Sequence, residues 1–234
     1  MKMSISKKQD TKKYIGIAIF SALAFVVALV CNVIPPVAGF LSLDVKDAVI
    51  AIASFVYGPI SALIISFIAA FIELISFSTT GWYGFVMNFA SSAVFSLTAS
   101  LIYKKIRNIN GALIAFFAAI VATTGIMLLL NIFVTPIYLT AYVGMPKEVA
   151  SGQVMEMLPK VLLPFNFAKA LLNSSVAMLH YKPLSRALKK ARLATMEQGG
   201  RSGETATFNK NTLVILITGA VALVISVVIM VIIS

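Results

Sequence analysis

LLPFNFAKALLNSS, residues 162–175, holds leucine, phenylalanine and alanine in the proportions of a lipid-embedded segment, yet it also carries Asn166, Lys169 and Asn173. A lysine in hydrocarbon costs several kcal/mol unless it faces a protein interior or a water-filled space. The three polar positions are spaced i, i+3, i+7, so on a helix they share one face. That face must meet other polar groups, and the rest of the chain says what kind of protein supplies them. Of 234 residues 60% are hydrophobic and 12% charged, against roughly 25% charged in an ordinary soluble domain. A soluble core of this size cannot hide so much apolar surface, so the solvent is lipid.

Spanning takes about 20 apolar residues. Seven runs qualify or come close: 14–34, ended by Pro35-Pro36; 45–57, short and opening with Lys46-Asp47; 60–76, after the turn pair Gly58-Pro59; 85–103; 112–134, stopping before Pro136; 161–181; and 212–233, which has no charge. The expected organisation is a basic tail over 1–13, a membrane domain over 14–181, a basic linker over 182–211 and the last helix. The first run is too long for the apolar part of a signal peptide and no small-residue cleavage site follows, so it is expected to be retained. Cys31 is alone and makes no intrachain disulfide.

The net charge is +11. In a membrane protein such an excess marks cytoplasmic loops and does not point to nucleic acid. With the N-terminus inside, the tail (Lys2, Lys7, Lys8, Lys12, Lys13), the 104–107 loop and the 182–211 linker together hold 15 of the 19 basic residues. Residues 35–44, 77–84 and 135–160 then face outward. No internal repeat is visible, which argues against a transporter built from two inverted halves.

On this topology Asn88, Asn131, Asn166 and Lys169 fall one to two turns from the outer ends of their helices, with Lys46, Asp47 and Glu73 at the same level. Singly, each has a plainer role: an asparagine as interhelical glue, Lys169 as a snorkelling side chain, Trp82 and Tyr83 as interface anchors, and Lys46, Asp47 and Glu73 as a structural ion pair. Three amides and a lysine from different helices at one depth favour a pocket open to the outside, with Phe77, Trp82 and Tyr83 beside it. Amides present a donor and an acceptor in one plane, and the aromatic surroundings suit a ring, so the ligand should be a largely apolar heteroaromatic with one polar edge. A glycine-rich phosphate loop, an HExxH pair and a G-x-S-x-G elbow are all missing from the sequence, so an enzyme is not expected. Neither a metal nor a catalytic cofactor is expected.

LSLDVKDAVIAIASFVYGPISALII (41–65), SFSTTGWYGFVMNF (76–89) and LLPFNFAKALLN (162–173) resemble the substrate-binding S component of an energy-coupling factor (ECF) vitamin transporter, most closely its riboflavin-specific type, over about residues 14–190. The resemblance implies an all-α, polytopic six-helix bundle in a bacterial plasma membrane. It implies a riboflavin ligand captured at the outer face. It also implies docking on an energy-coupling membrane subunit with two ABC ATPases, which hydrolyse ATP while the S component topples to deliver its substrate. It maps the ring edge of the ligand onto Asn131, Asn166 and Lys169, and the rest onto Asn88 and the backbone of Leu41, Ser42 and Leu43. Small-xxx-small pairs of the docking type occur twice in the first helix, Ala18/Ala22 and Ala24/Ala28, on different faces. The run at 212–233 exceeds the six-helix pattern. An S component for another vitamin and a stand-alone facilitator remain alternatives.

Overall fold

A computed structural model describes residues 2–106, 109–190 and 210–233. The described residues are helical nearly throughout: α1 (Lys2–Cys31), α2 (Lys46–Tyr57), α3 (Pro59–Ser76), α4 (Gly81–Lys105), α5 (Ile109–Val143), α6 (Lys147–Met157), a π-helical turn (Leu158–Leu162), α7 (Leu163–Lys190) and α8 (Lys210–Ile233). Five stretches are long and apolar enough to cross a bilayer: Asp10–Cys31, Pro59–Ser76, Gly81–Lys105, Asn110–Val143 and Lys147–His180. Of the expected 182–211 linker, residues 191–209 lie outside the described residues.

The surface is inverted relative to a soluble protein. Large apolar side chains such as Val30, Phe117, Phe133 and Val231 point outward, while Ser54, Ser92, Ser96 and Ser100 are buried. Lipid can take the first group and offers the second no partner, so serine hydroxyls turn inward to backbone carbonyls or, for Ser92, to the Asp47 carboxylate. Ser54 donates to the Ala51 carbonyl and Ser100 to the Ser54 carbonyl, knitting α4 to α2.

α2 is the centre of the bundle. Ten of its 12 residues are buried, which is what an all-round apolar helix requires. One side packs on α1 and α3 through Ile17, Phe20, Ala24, Ile50, Tyr57 and Ile65. The other packs on α4, α5 and α7 through Ala48, Ile52, Phe95, Phe116 and Ala170. Gly58 ends α2 with φ +92°, a region open to glycine, and Pro59 starts α3 where no N–H is needed. A third apolar cluster lies at the end of the bundle that carries the α1–α2 connection; it joins Leu41, Leu139, Ala150, Val154, Leu162, Phe165 and Met230.

Two expectations are corrected. The fifth run does not stop before Pro136, because α5 passes through it to Val143. The ring removes one helical N–H bond, and polar side chains stand close to the gap: the Thr135 hydroxyl donates to Asn131 Oδ1 at 2.8 Å, and Asn131 Nδ2 donates to the Met127 carbonyl at 2.7 Å. Residues 135–160, expected as a connecting segment, are mostly helix. Gly144 (φ +78°) reverses the chain, and α6 returns to the π turn that feeds α7.

Gly16 is buried where α1 crosses α2, and a Cβ there would stand 2.2 Å from the Tyr57 hydroxyl. Gly16→Ala should therefore lower stability by about 1–3 kcal/mol, as overpacking does. Thermal unfolding of the detergent-solubilised protein checks this, and an unchanged midpoint would mean that α1 does not approach α2 so closely.

Candidate functional site

The site begins with a helix end. The first N–H groups of α2 have no partner within the helix, and they lie inside the protein. Asp44 Oδ1 accepts the Lys46 N–H at 3.2 Å. Asn173, on α7, reaches across to accept the Ala48 N–H at 2.9 Å, and its Nδ2 donates to the carbonyls of Asp44 (2.9 Å) and Lys169 (3.0 Å). Asn173 is fully buried and does not line the cavity described below.

Charges are arranged around this end as an alternating chain. Lys169 Nζ lies 2.8 Å from Asp44 Oδ2, which lies 3.5 Å from Lys46 Nζ, and Lys46 donates to Glu73 Oε2 at 2.7 Å. Asn88 Nδ2 donates to the same Glu73 oxygen at 3.1 Å, and Lys169 also donates to the Ser42 carbonyl at 3.1 Å. Loop, α2, α3, α4 and α7 thus meet in one network. Of the expected ion pair, Lys46 and Glu73 are joined. Asp47 is not within ion-pair distance of a cation among the described residues; it accepts the hydroxyls of Ser92 and Ser91. Neighbours i and i+1 on a helix point about 100° apart, so Asp47 faces α4 when Lys46 faces α3. Asp44, which sequence reasoning passed over, takes the place beside Lys46. Asp44 belongs to the loop. Burial alone would push its carboxyl upward, but Lys169 and Lys46 beside it, with their hydrogen bonds, hold it down at about 2.

Beside this network lies a cavity with about 660 Å³ of empty space counting its open mouth. Of the candidate residues, Leu41, Ser42, Tyr83, Asn88, Asn131, Asn166 and Lys169 line it. Leu43 and Phe77 do not: Leu43 packs against the apolar cluster, and the Phe77 ring sits 6.0 Å from that of Phe25. Trp82 is exposed and meets Phe85 edge to face. Lys169 does not snorkel, since its ammonium is buried on Asp44.

Sequence reasoning missed part of the wall. Met127, Val134, Thr135 and Tyr138 lie at −4, +3, +4 and +7 from Asn131, on its own helix face. Helical periodicity from Asn131 would have found Met127, Val134 and Thr135, and carried through Pro136 it would have found Tyr138. Thr80, Gly84, Met87 and Ser91 flank Asn88 in the same way, and Phe165 precedes Asn166. Tyr83, Tyr138 and Tyr142 form an aromatic cluster: Tyr138 and Tyr142 stack on each other, and Tyr83 meets both edge to face, its centroid 5.4 Å from that of Tyr142. The polar atoms differ in availability. Asn131 spends both ends of its amide on its own helix, whereas the Asn166 Nδ2 donates to the Leu162 carbonyl at 2.7 Å and leaves Oδ1 as an acceptor.

Comparison with known proteins converges on one family. Residues 12–181 match the family model for the ECF transporter, substrate-specific component. The chain is 30% identical over 185 residues to the riboflavin transporter RibU of Staphylococcus aureus (strain TCH60), covering 78% of this chain and 95% of that protein. It is 26% identical over 186 residues to the riboflavin transporter FmnP of Bacillus subtilis (strain 168), covering 78% and 97%. A solved structure described as "Structure and mechanism of the S component of a bacterial ECF transporter" superimposes with a TM-score of 0.62 at 30% identity, over 77% of this chain and 99% of that one.

Asp44 supplies a pH test. Its folded value of about 2 lies below the unfolded value, so its ion pairs contribute fully above about pH 4 and are lost as pH falls toward 2. Asp44→Asn should be less stable than the parent by roughly 2 kcal/mol near neutral pH, with the gap narrowing on acidification. Unfolding midpoints of both proteins between about pH 6 and pH 2 check it, and a gap independent of pH would deny Asp44 its charge.

Proposed function

We propose that this chain, which belongs to the family of ECF transporter substrate-specific components, binds riboflavin in the cavity between α4, α5 and α7 and presents it to an energy-coupling module for import. As a member of that family it is a multi-pass membrane protein and a substrate-binding transport component, not an enzyme. The observation that carries the riboflavin reading is the convergence of Asn88, Asn131, Asn166 and Lys169 on one cavity walled by Phe40, Tyr83, Tyr138 and Phe165. The names of the two relatives support it.

The chemistry fits a flat, uncharged ring with a hydroxylated tail. Phe165 and the tyrosines offer faces for an aromatic ring. Asn166 Oδ1 accepts from a ring N–H, and Lys169, held by Asp44 and Ser42, directs its ammonium at a ring carbonyl. Because Asp44 already balances Lys169, the pocket need not recruit an anion. Asn88, Ser91 and Thr80 form a polar strip for hydroxyl groups. The cavity opens to the outside of the cell, an orientation supported by the distribution of lysine and arginine.

Of the two small-residue pairs on α1, Ala24 and Ala28 are buried against α2 and α3, whereas Ala18 and Ala22 are exposed. Ala18/Ala22 is thus the pair available to a membrane partner, here the energy-coupling subunit with its two ATPases. α8 packs along α7 and leaves this face open.

Purified protein should bind one riboflavin with quenching of flavin fluorescence, and Asn166→Ala should weaken binding by about 1–3 kcal/mol, roughly 5- to 150-fold. A titration without saturable quenching would remove riboflavin as the ligand. Ala18→Leu combined with Ala22→Leu should retain riboflavin affinity while losing copurification with a coexpressed energy-coupling module. Undiminished copurification would move the docking face elsewhere.

A further inference from the structure

α8 lies beyond the residues that match the family, and its sequence has one organised face. Gly219, Ser226 and Met230 are buried, Ala222, Leu223, Ile229 and Ile233 half-buried, and the residues between them mostly exposed to lipid. This is a helical seam, and it is laid along α7. At Gly219 the approach is close: a Cβ there would stand 3.3 Å from Leu179 Cγ and 3.5 Å from the Ser175 carbonyl oxygen. Three turns later the seam leaves α7's central part and enters the apolar cluster at the cavity end. Met230 is 8% exposed within it, and Ile229 and Ile233 pack at its edge.

That cluster contains the back of the ligand wall. Val37, Phe40, Leu41 and Leu43 of the α1–α2 loop belong to it, together with Phe165 of α7. The front of the same loop, at Phe40, Leu41 and Ser42, lines the cavity. The loop needs support. It is a tight reversal closed by reciprocal backbone bonds between Val37 and Leu41, both 3.0 Å, and its turn puts Ala38 at φ +51°. A non-glycine residue there is held only where the surroundings determine it. On the cavity side, Lys169 pins the Ser42 carbonyl.

We propose that α8 is a positioning element of the binding site: Met230, Ile229 and Ile233 complete the apolar seat of the α1–α2 loop and hold its Phe40–Ser42 segment against the ligand, slowing escape. The inference rests on the cavity being the ligand site, and it adds a residue set that the shared six-helix framework does not contain.

The test uses the full chain with Met230→Ala plus Ile233→Ala, and Met230→Ala alone should the double variant not fold. Ile65→Ala, in the α1–α3 cluster away from the cavity, controls for general destabilisation. Two readouts are taken: riboflavin dissociation and association by stopped-flow fluorescence, and hydrogen exchange of the backbone amides of residues 37–43 without ligand. The α8 variants should release riboflavin roughly tenfold faster with little change in association, since such effects fall mainly on dissociation. They should also speed exchange in the loop, and Ile65→Ala should do neither. Unchanged loop exchange in the α8 variants, or equal changes in Ile65→Ala, would overturn the proposal. A parent protein that does not bind riboflavin would instead refute the ligand, and the exchange measurement would still decide the role of α8.

Discussion

The structure turns on a helix that is too short. α2 has 12 residues, roughly 18 Å of helix, in a membrane core about 30 Å thick. Its first turn therefore lies inside the protein, where bare N–H groups cost several kcal/mol each. Asp44 and Asn173 cover them, and that requirement fixes the rotation of α7. Once Asn173 faces the start of α2, Asn166 and Lys169, on the same stripe, must face the space above it. Two further turns of α2 would occupy part of that space. The cavity and its polar lining are thus consequences of one helix end and of the residue that caps it from another helix.

The charges follow from the same constraint. Buried ions are costly, and pairing seldom makes them a net gain over apolar packing. Here the two inner ions are shared: Asp44 between Lys169 and Lys46, and Lys46 between Asp44 and Glu73. The alternation means that no member can leave without stranding a neighbour, so the chain defines a single arrangement of loop, α2, α3 and α7. Asp47 shows the other solution, with hydroxyls from α4 taking the place of a cation.

Much of this was legible in the amino-acid sequence, and the exceptions have physical reasons. Apolar run length located the membrane helices, and the i, i+3, i+7 spacing of Asn166, Lys169 and Asn173 identified the polar face of α7. That spacing could not separate the two residues that line the cavity from the one that caps α2, because a stripe gives direction and not depth. Asp44 was missed because it precedes its helix, where no periodicity applies. Tyr138 was missed because proline usually ends a helix, and only the side chains of Asn131 and Thr135 show how this one continues. The resemblance mapped the backbone of Leu43 onto the ligand and the outer-loop position of Phe77 suggested a wall, but Leu43 packs into the apolar cluster and Phe77, at the end of α3, meets Phe25.

The cavity and the exposed face of α1 lie on different parts of the bundle. α1 packs on α2 and α3, whereas the cavity belongs to the loop, α4, α5 and α7. Three kinds of contact among the described residues bridge these groups: the packing of α3 on α4, where Phe67 and Phe71 meet Phe85 and Phe89; the apolar sides of α2, which join the cluster on α1 to the cluster on α4, α5 and α7; and the polar chain from Lys169 through Asp44 and Lys46 to Glu73 and Asn88. Both ends of that chain, Lys169 and Asn88, line the cavity, and its middle is the first turn of α2. A ligand that draws on Lys169 or Asn88 therefore pulls on the helix against which α1 is packed. Short as it is, α2 touches both the polar network beside the cavity and the apolar packing of α1.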